Sequence, residues 1–148
     1  MLKIGDKAPA INSIDENGEA ITLDQFKGKK VVLYFYPKDM TPGCTVQSCN
    51  LRDNYQALLD NGFVVLGCSA DSPERHQKFI AKHDLPFPLI SDENKEVINA
   101  YGVWGEKKFM GRTYDGIHRT TFVIDENGTI EDIITKVKTK NHTEQIIK

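Results

Sequence analysis

The chain has 148 residues, 39% of them hydrophobic, enough for one domain whose core needs no disulfide or metal staples. With 19 basic against 21 acidic residues the formal charge is −2, so no global field attracts phosphate backbones and nucleic acid is not an expected partner. The longest apolar stretches, Val31 to Tyr36 and Phe63 to Cys68, fall far short of the roughly 18 residues that a membrane span needs.

The charged start, Met1-Leu2-Lys3-Ile4-Gly5-Asp6-Lys7, does not read as a secretory leader. Three cysteines, an odd count, do not suit a secreted disulfide framework, and the expectation is a cytoplasmic protein with reduced thiols. No linker, repeat or low-complexity tract divides the chain, so residues 1–148 are expected to form one unit.

Two short extended runs, Ile11 to Ile14 and Ala20 to Leu23, flank Asp15-Glu16-Asn17-Gly18, whose Asn-Gly favours a tight hairpin. Val31 to Tyr36 is β-branched and aromatic and is closed by Pro37, the composition of a strand covered on both faces. Cys44, Ser48, Leu51, Tyr55 and Leu58 then fall on one helical stripe, predicting a helix from about Cys44 to Asn61-Gly62. Phe63 to Cys68 is a second buried strand; Ser72-Pro73 opens a helix ending near His83.

After Pro86 and Pro88 comes a short extended run, then a helix through Val97, Ile98 and Tyr101, capped by Ser91 or Asp92 and stopped by Gly102. Gly102 to Gly116 holds four glycines and reads as a long loop. Thr120 to Ile124 and Thr129 to Ile134 form a hairpin around Asp125-Glu126-Asn127-Gly128, Lys136, Lys138 and Lys140 mark a solvated strand edge, and a last helix starts near Asn141. Strands alternating with helices, plus a late hairpin, predict an α/β thioredoxin-like fold: a mixed central β-sheet flanked by helices, with an N-terminal β-hairpin.

Cys44 lies at the start of a helix, where free backbone N–H groups and partial positive charge stabilise a thiolate. From position alone, a small buried residue on the apolar stripe fits equally well. Cys49 is five residues on; a straight helix separates the two Cα atoms by about 8.6 Å, beyond the roughly 7 Å that a disulfide spans. Any Cys44–Cys49 bond therefore requires the first helical turn to unwind. Cys68, closing a buried strand, reads as a core thiol, and the four histidines, with no zinc-site spacing among them, read as structural or exposed.

Pro37-x-x-x-Thr41-x-x-Cys44 is similar to the active-site signature of peroxiredoxins, the thiol-dependent peroxidases, and Cys44-Thr-Val-Gln-Ser-Cys49 resembles the bacterioferritin comigratory protein or Q-type subgroup. Gly5 to Pro9, Leu33 to Pro37, Ser69 to Ser72, Tyr101 to Gly105 and Arg119 to Asp125 extend the likeness over nearly the whole chain. The resemblance implies that Cys44 is the peroxidatic and Cys49 the resolving cysteine, joined in an intramolecular disulfide during turnover. It assigns Arg119 as a cation that lowers the Cys44 pKa and holds the peroxide oxygens. Without the motif, Arg119 reads as a surface residue flanking a strand, and Thr41 as an ordinary turn residue.

By the same resemblance the Thr41 hydroxyl accepts from the peroxide and donates to the thiolate, Pro37 shields the sulfur from water, and Gly43 lets its own N–H and that of Cys44 face the substrate. Gln47 stands where many other peroxiredoxins carry a glutamate. Trp104, Phe109 and Met110 suit either an apolar mouth or packing under a loop. Implied partners are a hydroperoxide and thioredoxin or a similar dithiol; the implied state is a monomer with no cofactor and no metal. Two other readings remain: a thioredoxin-like dithiol-disulfide exchanger, whose cysteines usually stand two residues apart, and a non-catalytic peroxide sensor or chaperone.

Overall fold

The computed structural model describes residues 2–147; Met1 and Lys148, the two ends of the sequence reading, lie outside them. Its centre is a five-stranded sheet built from β3 (Lys30–Phe35), β4 (Phe63–Ser69), β5 (Leu89–Ser91), β8 (Thr120–Ile124) and β9 (Ile130–Ile134), in the order β5-β4-β3-β8-β9. The pairs β3–β4 and β4–β5 are parallel, whereas β3–β8 and β8–β9 are antiparallel. This is the mixed sheet expected of a thioredoxin-like fold.

Side chains alternate across β3 and β4, and each face buries its own apolar cluster. Val31, Leu33, Phe35, Leu66 and Cys68 belong to one; Val32, Tyr34, Tyr36 and Val65 belong to the other, with Cys44, Leu51, Leu58 and Phe79. Gly67 is required in mid-strand because a Cβ there would stand 2.6 Å from Leu89 Cδ2 and 2.9 Å from Tyr34 Cζ. The Tyr34 ring thus lies over backbone, and its hydroxyl meets Ser48 Oγ at 2.9 Å.

Both Asp-Glu-Asn-Gly loops are the same device. They join β1 (Asn12–Ile14) to β2 (Ala20–Thr22), and β8 to β9. In each, the aspartate carboxylate accepts from two backbone N–H groups (Asn17 and Glu19; Asn127 and Thr129), and the glycine takes positive φ, +75° and +82°. Each is a three-residue hairpin loop ending in a left-handed glycine, rather than the two-residue Asn-Gly turn.

Three expectations are corrected. The helix begins at Pro42, not Cys44, and breaks at Asn54 into α1 (Pro42–Asp53) and α2 (Tyr55–Asp60); Asn54 turns its side-chain amide onto the Asn50 carbonyl at 2.8 Å, competing with the backbone ladder. Residues 102–116 are not a loop but a hairpin, β6 (Trp104–Phe109) and β7 (Arg112–Ile117), turned by Met110 and Gly111 at φ +51° and +78°. Two of the glycines that read as breakers, Gly105 and Gly116, pair with each other across it. Lys136, Lys138 and Lys140 follow β9 in a turn and a short 3-10 segment (Thr139–Asn141), not on a strand edge.

The remaining helices match closely. In α3 (Pro73–His83) Ser72 caps the start by accepting from Arg75 N. In α4 (Glu96–Ala100) Lys95 is the cap residue, but the Asp92 carboxylate still accepts from Ile98 N at 2.7 Å. The last helix, α5 (His142–Ile146), docks on the second half of α1: Asn50 Oδ1 accepts from Thr143 N and Oγ1, both at 2.8 Å, and Asn50 Nδ2 donates to the Lys140 carbonyl. No helix among the described residues is long and apolar enough to cross a membrane.

His142 is buried between Thr121 Oγ1 and Gln145 Oε1, each 2.8 Å away. Burial holds its pKa below the ordinary 6.5, the Gln145 hydrogen bond opposing and the Arg119 charge adding to the depression. Below about 6.5 the unfolded chain takes up a proton that the folded chain still refuses, so this contribution to stability is complete above that range and is lost as pH falls through it. The drop in thermal midpoint between pH 7.5 and 5 is expected to be smaller in His142→Asn than in the parent; equal drops in scanning calorimetry would contradict this.

Candidate active site

The register of the antiparallel pair β3–β8 builds the site. Phe35 stands opposite Thr120, so Arg119, one residue before β8, emerges beside the chain leaving β3 at Tyr36 and Pro37. The loops after the parallel strands β3 and β4 open at the same end of the sheet. Thr41 is the N-cap of α1 at φ −84°, ψ 151°, Pro42 takes the first helical position, and Gly43 and Cys44 complete the turn whose N–H groups have no carbonyl within the helix to bond.

Cys44 is fully buried, and Arg119 Nη2 donates to its Sγ at 3.2 Å. Gly43 makes that approach possible: a Cβ on it would lie 3.3 Å from the same nitrogen. A side chain there would crowd the guanidinium by a few tenths of an ångström. The second arm, Nη1, donates to Gln47 Oε1 at 2.6 Å. A neutral amide thus orients the arginine without neutralising it, which answers for the missing glutamate. Gln47 Nε2 is itself buried with no hydrogen-bond partner among the described residues, a costly donor to leave unused.

Thr41 is placed differently from expectation. Its hydroxyl proton is donated to the Lys38 carbonyl at 2.8 Å rather than to Cys44, leaving the oxygen as an acceptor. Pro37 is half-buried, two residues past the end of β3. Cys49 lies further along α1, half-buried, with Sγ 3.8 Å from His83 Nδ1. All three cysteines are free thiols, and α1 runs unbroken through Cys44 and Cys49. Cys68 is fully buried, and burial, with the nearby Asp92 carboxylate, pushes its thiol well above its ordinary pKa.

Two parts of the site escaped the sequence reading. Lys107 on β6 bonds the Ile117 carbonyl at 2.9 Å, its stem lying where a Cβ on Gly116 would meet its Cδ at 3.1 Å. Burial lowers its pKa and the nearby Arg119 charge lowers it further, with Cys44 opposing, which places this cation in the electrostatic surroundings of the site. The assignment of 102–116 to a loop concealed it. On that hairpin Phe109 and Met110 are exposed, whereas Trp104 packs on the core.

The other missed part is a buried network under the Pro37 to Thr41 turn. Asp39 accepts from Tyr36 Oη at 2.5 Å and is hydrogen-bonded to His76 Nδ1 at 2.6 Å, while His76 Nε2 donates to the Ile90 carbonyl at 3.0 Å. Asp71 accepts from Asp39 N, Ser69 Oγ and Arg75 Nε. Ligand atoms of Asp39, Asp71 and His76 lie within 4.8 Å of one another, but these hydrogen bonds already engage them and Arg75 supplies the cation, so they form a clamp rather than a metal centre. The clamp ties the active-site turn, with Met40 at φ +68°, to α3 and to the ends of β4 and β5.

A wide cleft of about 390 Å³ between the N-terminal segment and the β8–β9 loop shares no lining residue with this site. A substrate of a few atoms needs no such volume. A buried cysteine at a helix N-terminus, held by an arginine on a thioredoxin-like sheet, defines a thiol peroxidase.

Known proteins agree with that class. The AhpC/TSA family model matches residues 4–133. Peroxiredoxin Bcp of Escherichia coli K12 is 51% identical over 146 residues, covering 99% of this chain and 94% of that protein. A cysteine-to-serine mutant of Xylella fastidiosa PrxQ superposes with a TM-score of 0.92 at 30% identity, covering 99% and 94% of the two chains. A Xanthomonas campestris bacterioferritin comigratory protein, solved as trapped intermediate and ligand complexes in work on its alkyl peroxide reduction activity, matches at TM-score 0.86 and 33% identity, covering 93% and 87%. The chain belongs to the AhpC/TSA family, as a peroxiredoxin of the Bcp or PrxQ type.

Asp39→Ala would remove the closest partner of both His76 Nδ1 and the Tyr36 hydroxyl, leaving the two only each other, at 3.5 Å, in the core. Losing one partner of such a buried pair is expected to lower unfolding free energy by about 3–5 kcal/mol in urea titration. A loss under about 1 kcal/mol, the scale of an exposed pair, would show that the pair does not hold the turn.

Proposed function

We propose that this chain reduces hydroperoxides, alkyl hydroperoxides included, through a Cys44 sulfenic acid that Cys49 resolves and a dithiol protein such as thioredoxin recycles. The observation that carries the reading is the Arg119 Nη2 to Cys44 Sγ contact of 3.2 Å at the N-terminus of α1. The thiolate attacks one peroxide oxygen, the O–O bond breaks, and the departing oxygen leaves as alcohol or water after taking a proton. Arg119, the first-turn N–H groups and the Gln47 amide supply donors where negative charge grows on that oxygen. The Thr41 oxygen, its own proton given to Lys38, is free to accept from the peroxide hydroxyl.

Resolution then requires movement. Beyond Ser48, α1 is tied by Ser48 to Tyr34, by Asn50 to Thr143 and Lys140, and by Arg52 to the His83 carbonyl. Among the described residues the turn from Pro42 to Val46 has no comparable side-chain hydrogen bonds apart from the contact of Cys44 with Arg119, which oxidation of the sulfur weakens. The first turn is thus the part that opens, bringing Cys44 to Cys49, and the resulting disulfide is reduced by thiol exchange. The reading also carries a monomer and a reducing, cytoplasmic setting in which such a reductant is maintained.

Cys44→Ser is expected to abolish peroxide turnover with thioredoxin and its reductase, and Arg119→Gln to lower the rate of Cys44 oxidation by about 10²-fold or more. Turnover surviving Cys44→Ser in a coupled assay would sink the assignment; consumption of a single equivalent of peroxide would favour a sensor instead. Amide exchange at residues 43 to 49 should accelerate in the disulfide form relative to the reduced form. Unchanged protection in a sample shown by mass spectrometry to be disulfide-bonded would refute the unwinding.

A further inference from the structure

The two reactive cysteines have different nitrogen neighbours, and the difference matches different needs. Cys44 faces a guanidinium, which is permanently charged and holds a thiolate without taking its proton. Cys49 faces an imidazole, the side chain suited to exchanging a proton near neutral pH. Among the described residues His83 Nδ1, at 3.8 Å, is the only hydrogen-bonding partner of Cys49 Sγ.

The imidazole is held in place. His83 is the last residue of α3, which Asp84 closes in the left-handed region at φ +50°. Arg52 Nη1 donates to the His83 carbonyl at 2.7 Å, and the ring packs edge-on against the fully buried Phe79, with centroids 5.4 Å apart. Arg52 and Cys49 both lie in the anchored half of α1. The pair Cys49–His83 therefore stays assembled while the first turn opens.

We propose that His83 is a catalytic residue of the resolving step, accepting the Cys49 thiol proton as the disulfide forms. The proposal rests on the reading that Cys49 resolves Cys44. In that step the Cys49 sulfur attacks the Cys44 sulfur, the S–S bond forms as the S–O bond of the sulfenic acid breaks, and the departing hydroxide takes one proton to leave as water. The proton lost by Cys49 and the one gained by hydroxide balance, and the peroxide has already supplied the oxidising equivalent. Only the thiolate is a competent nucleophile, so a base at Cys49 Sγ accelerates the step.

The test mixes reduced full-length protein with one equivalent of hydrogen peroxide, quenches at intervals, and separates sulfenic acid from disulfide by mass spectrometry. In both His83→Asn and His83→Ala, Cys44 oxidation should keep its parent rate, while disulfide formation slows by about tenfold or more. Added imidazole should recover part of the rate in His83→Ala. Disulfide formation at the parent rate in both variants, or slowing of both steps alike with no recovery by imidazole, would overturn the role of His83. Absence of a Cys44–Cys49 disulfide in the parent, with Cys49→Ser behaving identically, would overturn the resolving-pair reading and this proposal with it.

Discussion

The contact on which the molecule depends joins residues 75 positions apart: a guanidinium nitrogen 3.2 Å from a buried sulfur. It constrains sequence on both sides. A side chain at Gly43 would crowd the guanidinium, Gln47 presents an oxygen to its other arm, and β8 is antiparallel to β3 in the register that pairs Phe35 with Thr120. A shift of one residue in that register would turn Arg119 to the other face of the sheet. The apolar clusters on the two faces fix the register, so packing in the core sets the chemistry at its edge.

A second division runs along α1. Its later part is bound to a strand, to the C-terminal helix and to α3, while its first turn depends on a bond to the sulfur that reacts. Local stability in proteins commonly varies in this way along one element, and functional segments are drawn from the weaker end. Here the end with fewer side-chain hydrogen bonds also carries Cys44. The Asp39–His76 clamp sits on the other side of that turn and keeps the chain before Thr41 in place.

Most of this was legible where one residue type has one use. Ser72-Pro73, the paired Asp-Glu-Asn-Gly loops and the β-branched run at Val31 placed their elements within a residue or two, and the stripe from Cys44 marked the helix start to within two residues. The hairpin at 104–117 was hidden because Gly105 and Gly116 read singly as breakers, although as a cross-strand pair they create room, and because Met110 gives no sign that it will adopt positive φ. Lys107 was lost with it. The Asp39–His76 bond was hidden for another reason: it joins a loop to a helix 37 positions on, and no periodicity encodes that distance. Arg119 stood out only through its likeness to a family, since an arginine before a strand is commonplace.

Cys68 shows what the sheet itself contributes. Its sulfur lies in the cluster on one face of β3 and β4, and Cys44 lies in the cluster on the other. A layer of close-packed backbone separates the thiols, and burial keeps Cys68 from becoming a nucleophile. The sheet therefore acts as an insulator between thiols. Of the three pairings that three cysteines allow, the sheet stands in the way of the Cys44–Cys68 one, so the thiol on its far face stays apart from the reactive one.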